Sequence, residues 1–155
     1  MRAVCILWVL ILALGCSSNK EQLFFKSFSE GWDQSEPVSF AFKNTNESEV
    51  VDLFWYIRNN EEYPFANIHL IAELEDPTGT ITTDTLSYRL AKPDGRWLGK
   101  GLLSKESKLW YKEAISLPYV GNYTVRVRSA MRYNENVSPI EVLPGIKAVG
   151  IGIEK

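Results

Sequence analysis

Residues 123–128 read YTVRVR, with Tyr123, Val125 and Val127 separated by Thr124, Arg126 and Arg128. A β-strand sends successive side chains to opposite faces, so this period of two predicts one face in a core and one in water. The pattern recurs upstream. Val38, Phe40 and Phe42 alternate with Ser39, Ala41 and Lys43, and Ile68, Leu70, Ala72 and Leu74 mark another strand. Val51, Leu53, Trp55 and Ile57 share one face of 50–58, while Phe54 and Tyr56 predict that its other face is also partly covered. Residues 23–28, 80–90 and 146–153 read as extended. The run 105–117 fits a strand or a helix; Trp110, Tyr111 and Ile115, with Pro118 closing the run, favour the strand. Polar turns are expected at 44–48, 76–79 and 92–95, and loops at 59–64 and 134–144. Eight or nine strands without a helix predict an all-β domain, a two-sheet β-sandwich or jelly roll, with a closed barrel as the alternative. The strands lack the regular lipid-facing length of a membrane barrel.

The first fifteen residues do not share this pattern. After Arg2, residues 3–15 (AVCILWVLILALG) carry no charge. Thirteen residues rise about 20 Å as a helix, short of a hydrocarbon core of about 30 Å. A basic start, an apolar run and small residues behind it predict a signal peptide over 1–15. Leu12-Ala13-Leu14-Gly15-Cys16 resembles a bacterial lipobox with Ala13 and Leu14 in exchanged order. Cys16 is then the nucleophile that takes diacylglycerol, and the acyl chains bind the protein to a membrane. The two cysteines are Cys5 and Cys16. Loss of Cys5 with the signal and acylation of Cys16 leave no thiol for a disulfide. Residues 16–21 form the lipidated cysteine and a short polar tether, and 22–155 a single domain. Five extended residues reach about 17 Å, which keeps that domain close to the membrane. Ser17, in place of the Asp that retains many lipoproteins at the inner membrane, favours the outer membrane and leaves the leaflet open.

Over 155 residues the chain carries 17 basic and 19 acidic side chains. This balance argues against nucleic acid, which requires a concentrated basic surface. An aromatic content of 12% argues against disorder.

No catalytic constellation stands out. His69 is the single histidine and has no cysteine partners for a zinc site. No Gly-x-Ser-x-Gly elbow is present. Glu61-Glu62 and Glu73/Glu75 read as solvated surface rather than glycosidase pairs. The glycines of 95–101 lack phosphate-loop spacing, and Asp76, Asp84 and Asp94 lack EF-hand spacing. No enzyme activity, metal or cofactor is therefore expected. Trp32, Trp97 and Trp110, with Tyr63 or Tyr133, offer a groove for sugar rings or peptide, although core packing accounts for them more simply. Arg126, Arg128 and Arg132 form a basic strip.

Several segments carry a more specific signal. Phe28 and Trp32 precede the Phe40/Phe42 strand. Arg58-Asn59 is followed by Tyr63-Pro64-Phe65-Ala66-Asn67, and Leu90-Ala91 by the run Asp94 to Gly101, DGRWLGKG. Gly121-x-Tyr123, Met131-Arg132, Pro144-Gly145-Ile146 and Val149-Gly150-Ile151 complete the order. Together they closely resemble the GldH gliding-motility lipoproteins of Bacteroidetes over nearly the whole mature chain. The departures are the lipobox order and a polar 134–143 loop. The resemblance implies a non-enzymatic envelope lipoprotein, a scaffold or adaptor of the gliding machinery linked to type IX secretion, with envelope proteins of that apparatus as partners. The residues it carries over are Arg58, Asn59, Tyr63, Pro64, Asn67, Trp97, Arg132 and Gly145. In physical terms, Tyr63-Pro64 and Asn67 are expected to fix a loop against the sheet, and Trp97 to plug one end. A glycan- or peptide-binding module that uses aromatic loop residues is the alternative function.

Overall fold

The computed structural model describes residues 21–133 and 137–155. The signal segment, Cys16 and most of the tether lie outside the described residues, as does the 134–136 part of the polar loop. The described chain is all-β, with ten strands: β1 (Gln22–Ser27), β2 (Trp32–Asp33), β3 (Val38–Asn44), β4 (Glu49–Asn59), β5 (Asn67–Glu75), β6 (Ile81–Arg89), β7 (Lys105–Leu117), β8 (Gly121–Ser129), β9 (Val142–Leu143) and β10 (Ile146–Glu154). Eight are the expected long strands. The other two, β2 and β9, pair as a two-residue ribbon. The 105–117 run is a strand throughout, as its aromatic and β-branched residues favour.

Two open four-stranded sheets hold the long strands, in the orders β1-β10-β4-β7 and β3-β8-β5-β6, with every neighbouring pair antiparallel. Of the links between successive long strands, only 76–80 closes a hairpin within one sheet; the others pass from one sheet to the other. One core draws on both. Val51, Leu53, Trp55 and Ile57 enter it from β4 and Val149, Ile151 and Ile153 from β10, against Phe40, Phe42, Ile68, Leu70, Val125 and Val127 of the second sheet. The period-two pattern of 123–128 is realised as Tyr123, Val125 and Val127 buried, with Thr124, Arg126 and Arg128 outward. Side chains also join the sheets directly. The Tyr88 hydroxyl on β6 donates to the Trp110 carbonyl on β7 at 2.6 Å, and Asp84 accepts from Lys112 at 2.8 Å. At the other end, the Asn44 amide donates to the carbonyls of Leu117 and Tyr119.

The outer face of the first sheet is partly covered, over β4, as Phe54 and Tyr56 predict. Register places Leu23, Gly152, Phe54 and Trp110 in one row and Phe25, Gly150, Tyr56 and Lys108 in the next. The glycines make room for the rings: a Cβ on Gly150 would lie 2.5 Å from the Phe25 ring, and one on Gly152 2.7 Å from the Tyr56 ring. Phe25 and Tyr56 meet edge to face at 5.7 Å, and the Arg58 guanidinium lies 4.3 Å from the Phe25 ring centre.

Candidate functional site

Most of the residues singled out in the sequence gather at one end of the domain, where β4 ends and β5, β7 and β10 begin. Asn59 is the last residue of β4 and fully buried. Its Nδ2 donates to the Asn60 carbonyl at 3.4 Å, and its Oδ1 is buried without a partner among the described residues. The chain then turns: Tyr63 N–H donates to Asn60 C=O, and Asn60 N–H to Gly145 C=O at 2.9 Å. Gly145 has φ +75°, and a Cβ on it would fall 2.1 Å from Tyr63 N, so only glycine permits this approach. Tyr63 is buried, its hydroxyl donates to the Asn67 carbonyl at 2.7 Å, and burial pushes its phenol pKa well above the ordinary value. The Asn67 amide lies 2.9 Å from Nε2 of His69. These two bonds tie Tyr63 and Asn67 to the start of β5, while Pro64 is exposed.

Trp97 is half-buried against the core, with its ring 6.3 Å from that of Tyr63. Its segment is held by the Ala91–Trp97 bridge and by Leu98 N–H donating to Leu90 C=O at 2.8 Å. Arg58 points to the outer face of the first sheet, where it pairs with Glu106 at 2.6 Å. Arg132 is exposed.

The aromatic groove, the less simple of the two readings, is not assembled. Trp32 is fully buried and stacks on Phe28 at 6.0 Å, Tyr63 is in the core, and Trp110 lies on the first sheet's outer face, 4.2 Å from Phe54. Trp32 is buried because the β2–β9 ribbon, invisible to a periodicity argument, holds it over the core. Of that set, Tyr133 lines an open cleft of about 550 Å³, with Phe65, Asn67, His69, Met131 and Arg132. The basic strip is partly neutralised, since Arg126 pairs with Glu75 at 2.6 Å. Among the described residues no cluster of three metal-ligating side chains forms. Sequence reasoning also missed Asn44, assigned to a turn but buried at the end of β3, and Ser107, whose buried hydroxyl lacks a partner among the described residues. An isolated Asn or Ser carries no periodic signal that separates inside from outside.

The GldH lipoprotein family model matches residues 24–153. A gliding motility lipoprotein GldH homolog from Christiangramia forsetii is 41% identical over 150 residues, covering 96% of this chain and 92% of the relative. Gliding motility lipoprotein GldH from Flavobacterium johnsoniae is 37% identical over 152 residues, covering 95% and 94%. Among solved structures, the chain is similar to a chain of the Aeromonas sobria serine protease–chaperone complex, with a TM-score of 0.40, 15% identity, and 96% of this chain against 29% of that one covered. Dimeric latent PorU from Porphyromonas gingivalis gives 0.41, 12%, and 91% against 14%. The chain spans less than a third of either structure, and these low scores support no functional argument. The match across nearly all of the described residues, and both relatives at this identity, place the chain in the GldH lipoprotein family.

Proposed function

We propose that this chain is a lipid-anchored envelope protein that serves the gliding-motility machinery as a non-enzymatic scaffold or adaptor. The observation that carries the reading is the family match over residues 24–153, and the names of both relatives point the same way. The use made of the signature residues supports it. Asn59, Tyr63, Asn67 and Gly145 are engaged in holding loops together, which suits a rigid body that presents surfaces. In this reading Cys16 carries the acyl chains, residues 17–21 keep the domain near the outer membrane, and the partners are envelope proteins of the apparatus linked to type IX secretion. The two sheets are read as a β-sandwich, supported by the core they share.

Crosslinking in whole cells followed by mass spectrometry tests the role. Specific adducts with envelope proteins are expected. Recovery of none, under conditions that capture a known envelope complex, would overturn it.

The cleft beside Tyr133 favours a second reading, a glycan-binding module. An exposed ring, with Asn67, His69 and Arg132 beside it, offers a stacking surface and hydrogen-bonding groups for a sugar. A glycan array probed with the full chain tests it: binding that Tyr133→Ala abolishes supports it, and no binding removes it.

A further inference from the structure

The loop between Trp97 and β7 carries Leu102 and Leu103 at 97% and 96% exposure, with Leu98 half-exposed beside them. Two adjacent leucines this exposed are unusual on a folded surface, where apolar side chains are favoured inside. The loop is held in place: Lys100 and Glu106 exchange both backbone hydrogen bonds, at 3.0 and 2.8 Å. Charge is concentrated here as well. From Arg89 to Lys105 the chain has five basic residues and one acidic residue, Asp94, in a protein of net charge -2. Asp94 is engaged by Arg96, whereas Arg89, Lys92 and Lys100 enter no ion pair among the described residues.

Between this loop and the edge of β7 runs a groove of about 530 Å³, lined in part by Arg89, Leu98, Lys100, Ser107, Lys108 and Glu106, whose carboxylate is engaged by Arg58. The Ser107 hydroxyl there is buried and without a partner among the described residues. The edge of β7 also has backbone groups to offer. Glu106 directs its N–H and C=O away from β4, toward Lys100, and Trp110 directs its carbonyl away from β4, toward Tyr88. In an antiparallel ladder this orientation repeats every second residue, so Lys108, midway between them, turns its own N–H and C=O into the groove.

We propose that this groove docks an extended acidic segment of a partner protein. A carboxylate of that segment is received by Arg89 and Lys100, its backbone bridges to Lys108, and its apolar side chains pack on Leu98, Leu102 and Leu103. The inference rests on the adaptor reading above and names its contact face and the partner's chemistry. Leucines flanked by lysines also suit an anionic bilayer. A flat lipid surface, however, leaves the concave groove and the Lys108 backbone pair unused, so a protein segment is favoured.

The full chain in detergent micelles is used to select from a phage-displayed library of random dodecapeptides. Enrichment of Asp or Glu beside Leu or Phe is expected. Binding should fall at least tenfold with Arg89→Glu plus Lys100→Glu, and again with Leu102→Ser plus Leu103→Ser. These side chains are exposed, so an unchanged thermal midpoint verifies folding. No enrichment, or enrichment indifferent to both pairs of substitutions, overturns the proposal. So does binding to phosphatidylglycerol vesicles that Leu102→Ser plus Leu103→Ser abolishes while peptides fail to compete. In cells, a photo-crosslinking residue replaces either Leu102 or Val50, which is at the other end of β4 and also exposed. Adducts from Leu102 that map to acidic segments and vanish with the two charge reversals support the proposal. Adducts from Val50 alone overturn the face and keep the adaptor; none from either site overturns both.

Discussion

Replacing Gly145 with alanine tests the contact on which the end of the domain is built. At φ +75° a side chain is strained, at a cost of about 1–2 kcal/mol. The added Cβ would also sit 2.1 Å from Tyr63 N and 2.5 Å from Tyr63 Cα, both backbone atoms of another loop that must move. That movement breaks the bond from Asn60 N–H to Gly145 C=O, about 0.5–1.5 kcal/mol. It also exposes part of the Tyr63 ring; about 40 Å² at 25 cal/mol per Å² adds roughly 1 kcal/mol. The total is about 3–4 kcal/mol, a large share of the roughly 5–15 kcal/mol that holds a domain together. Gly79 supplies the control: its φ is +86°, but a Cβ there meets nothing within 4 Å, so Gly79→Ala isolates the strain. Urea unfolding followed by tryptophan fluorescence measures both. At a slope of about 2 kcal/mol per M, the Gly145→Ala midpoint should fall by about 1.5–2 M, and that of Gly79→Ala by about 0.5–1 M. Equal losses from the two substitutions, within about 0.5 kcal/mol, would refute the close-approach argument.

Further outcomes follow from other parts of the molecule. Asn44→Ala removes two N–H donors, shared among the carbonyls of Asn46, Leu117 and Tyr119, from a buried position; it should cost about 2 kcal/mol in the same unfolding assay, while exposed Asn46→Ala should cost little. Burial pushes the phenols of Tyr56 and Tyr88 up to about 12 from the ordinary value near 10, and raises Tyr63 and Tyr111 as well. The unfolded chain therefore ionises first, so this stabilisation is complete below pH 10 and is lost as pH rises through 12. Absorbance at 295 nm should show these four tyrosines ionising only as the thermal midpoint falls; a folded chain in which they titrate near pH 10 would contradict this. Cys16→Ala should abolish incorporation of labelled palmitate in cells, and continued incorporation would refute the anchor.

What the sequence makes legible is what repeats. Val38/Phe40/Phe42 and Tyr123/Val125/Val127 each serve one buried face, and a buried face imposes its period on the residues. Even the double burial of β4 is visible, in the aromatics at both parities. The β2–β9 ribbon is not, because two residues cannot display a period. Strand partners are hidden for a different reason: only the 76–80 turn joins neighbours, so the order of the chain says little about the order of the sheets. At the candidate end, the family resemblance singled out Gly145 and Tyr63, but not that they touch. The groove beside Leu102 escaped because exposed leucines in a Gly-rich run look like any other apolar residues until their surroundings are known.

The pairing of β1 with β10 has a consequence for how the domain comes into being. The first strand closes on the last, and β10 also separates β1 from β4 in the middle of its sheet. That sheet cannot be completed until residues 146–154 are available, whether the chain is leaving a ribosome or emerging from a translocation channel. Pairings between distant segments form slowly, because a long loop must close before any contact rewards it. Until then β1 and β4 hold unpaired edges and uncovered aromatics, the state in which a chain aggregates or is degraded. Loss of only the final strand would thus leave most of the sequence intact and β1 with no neighbour.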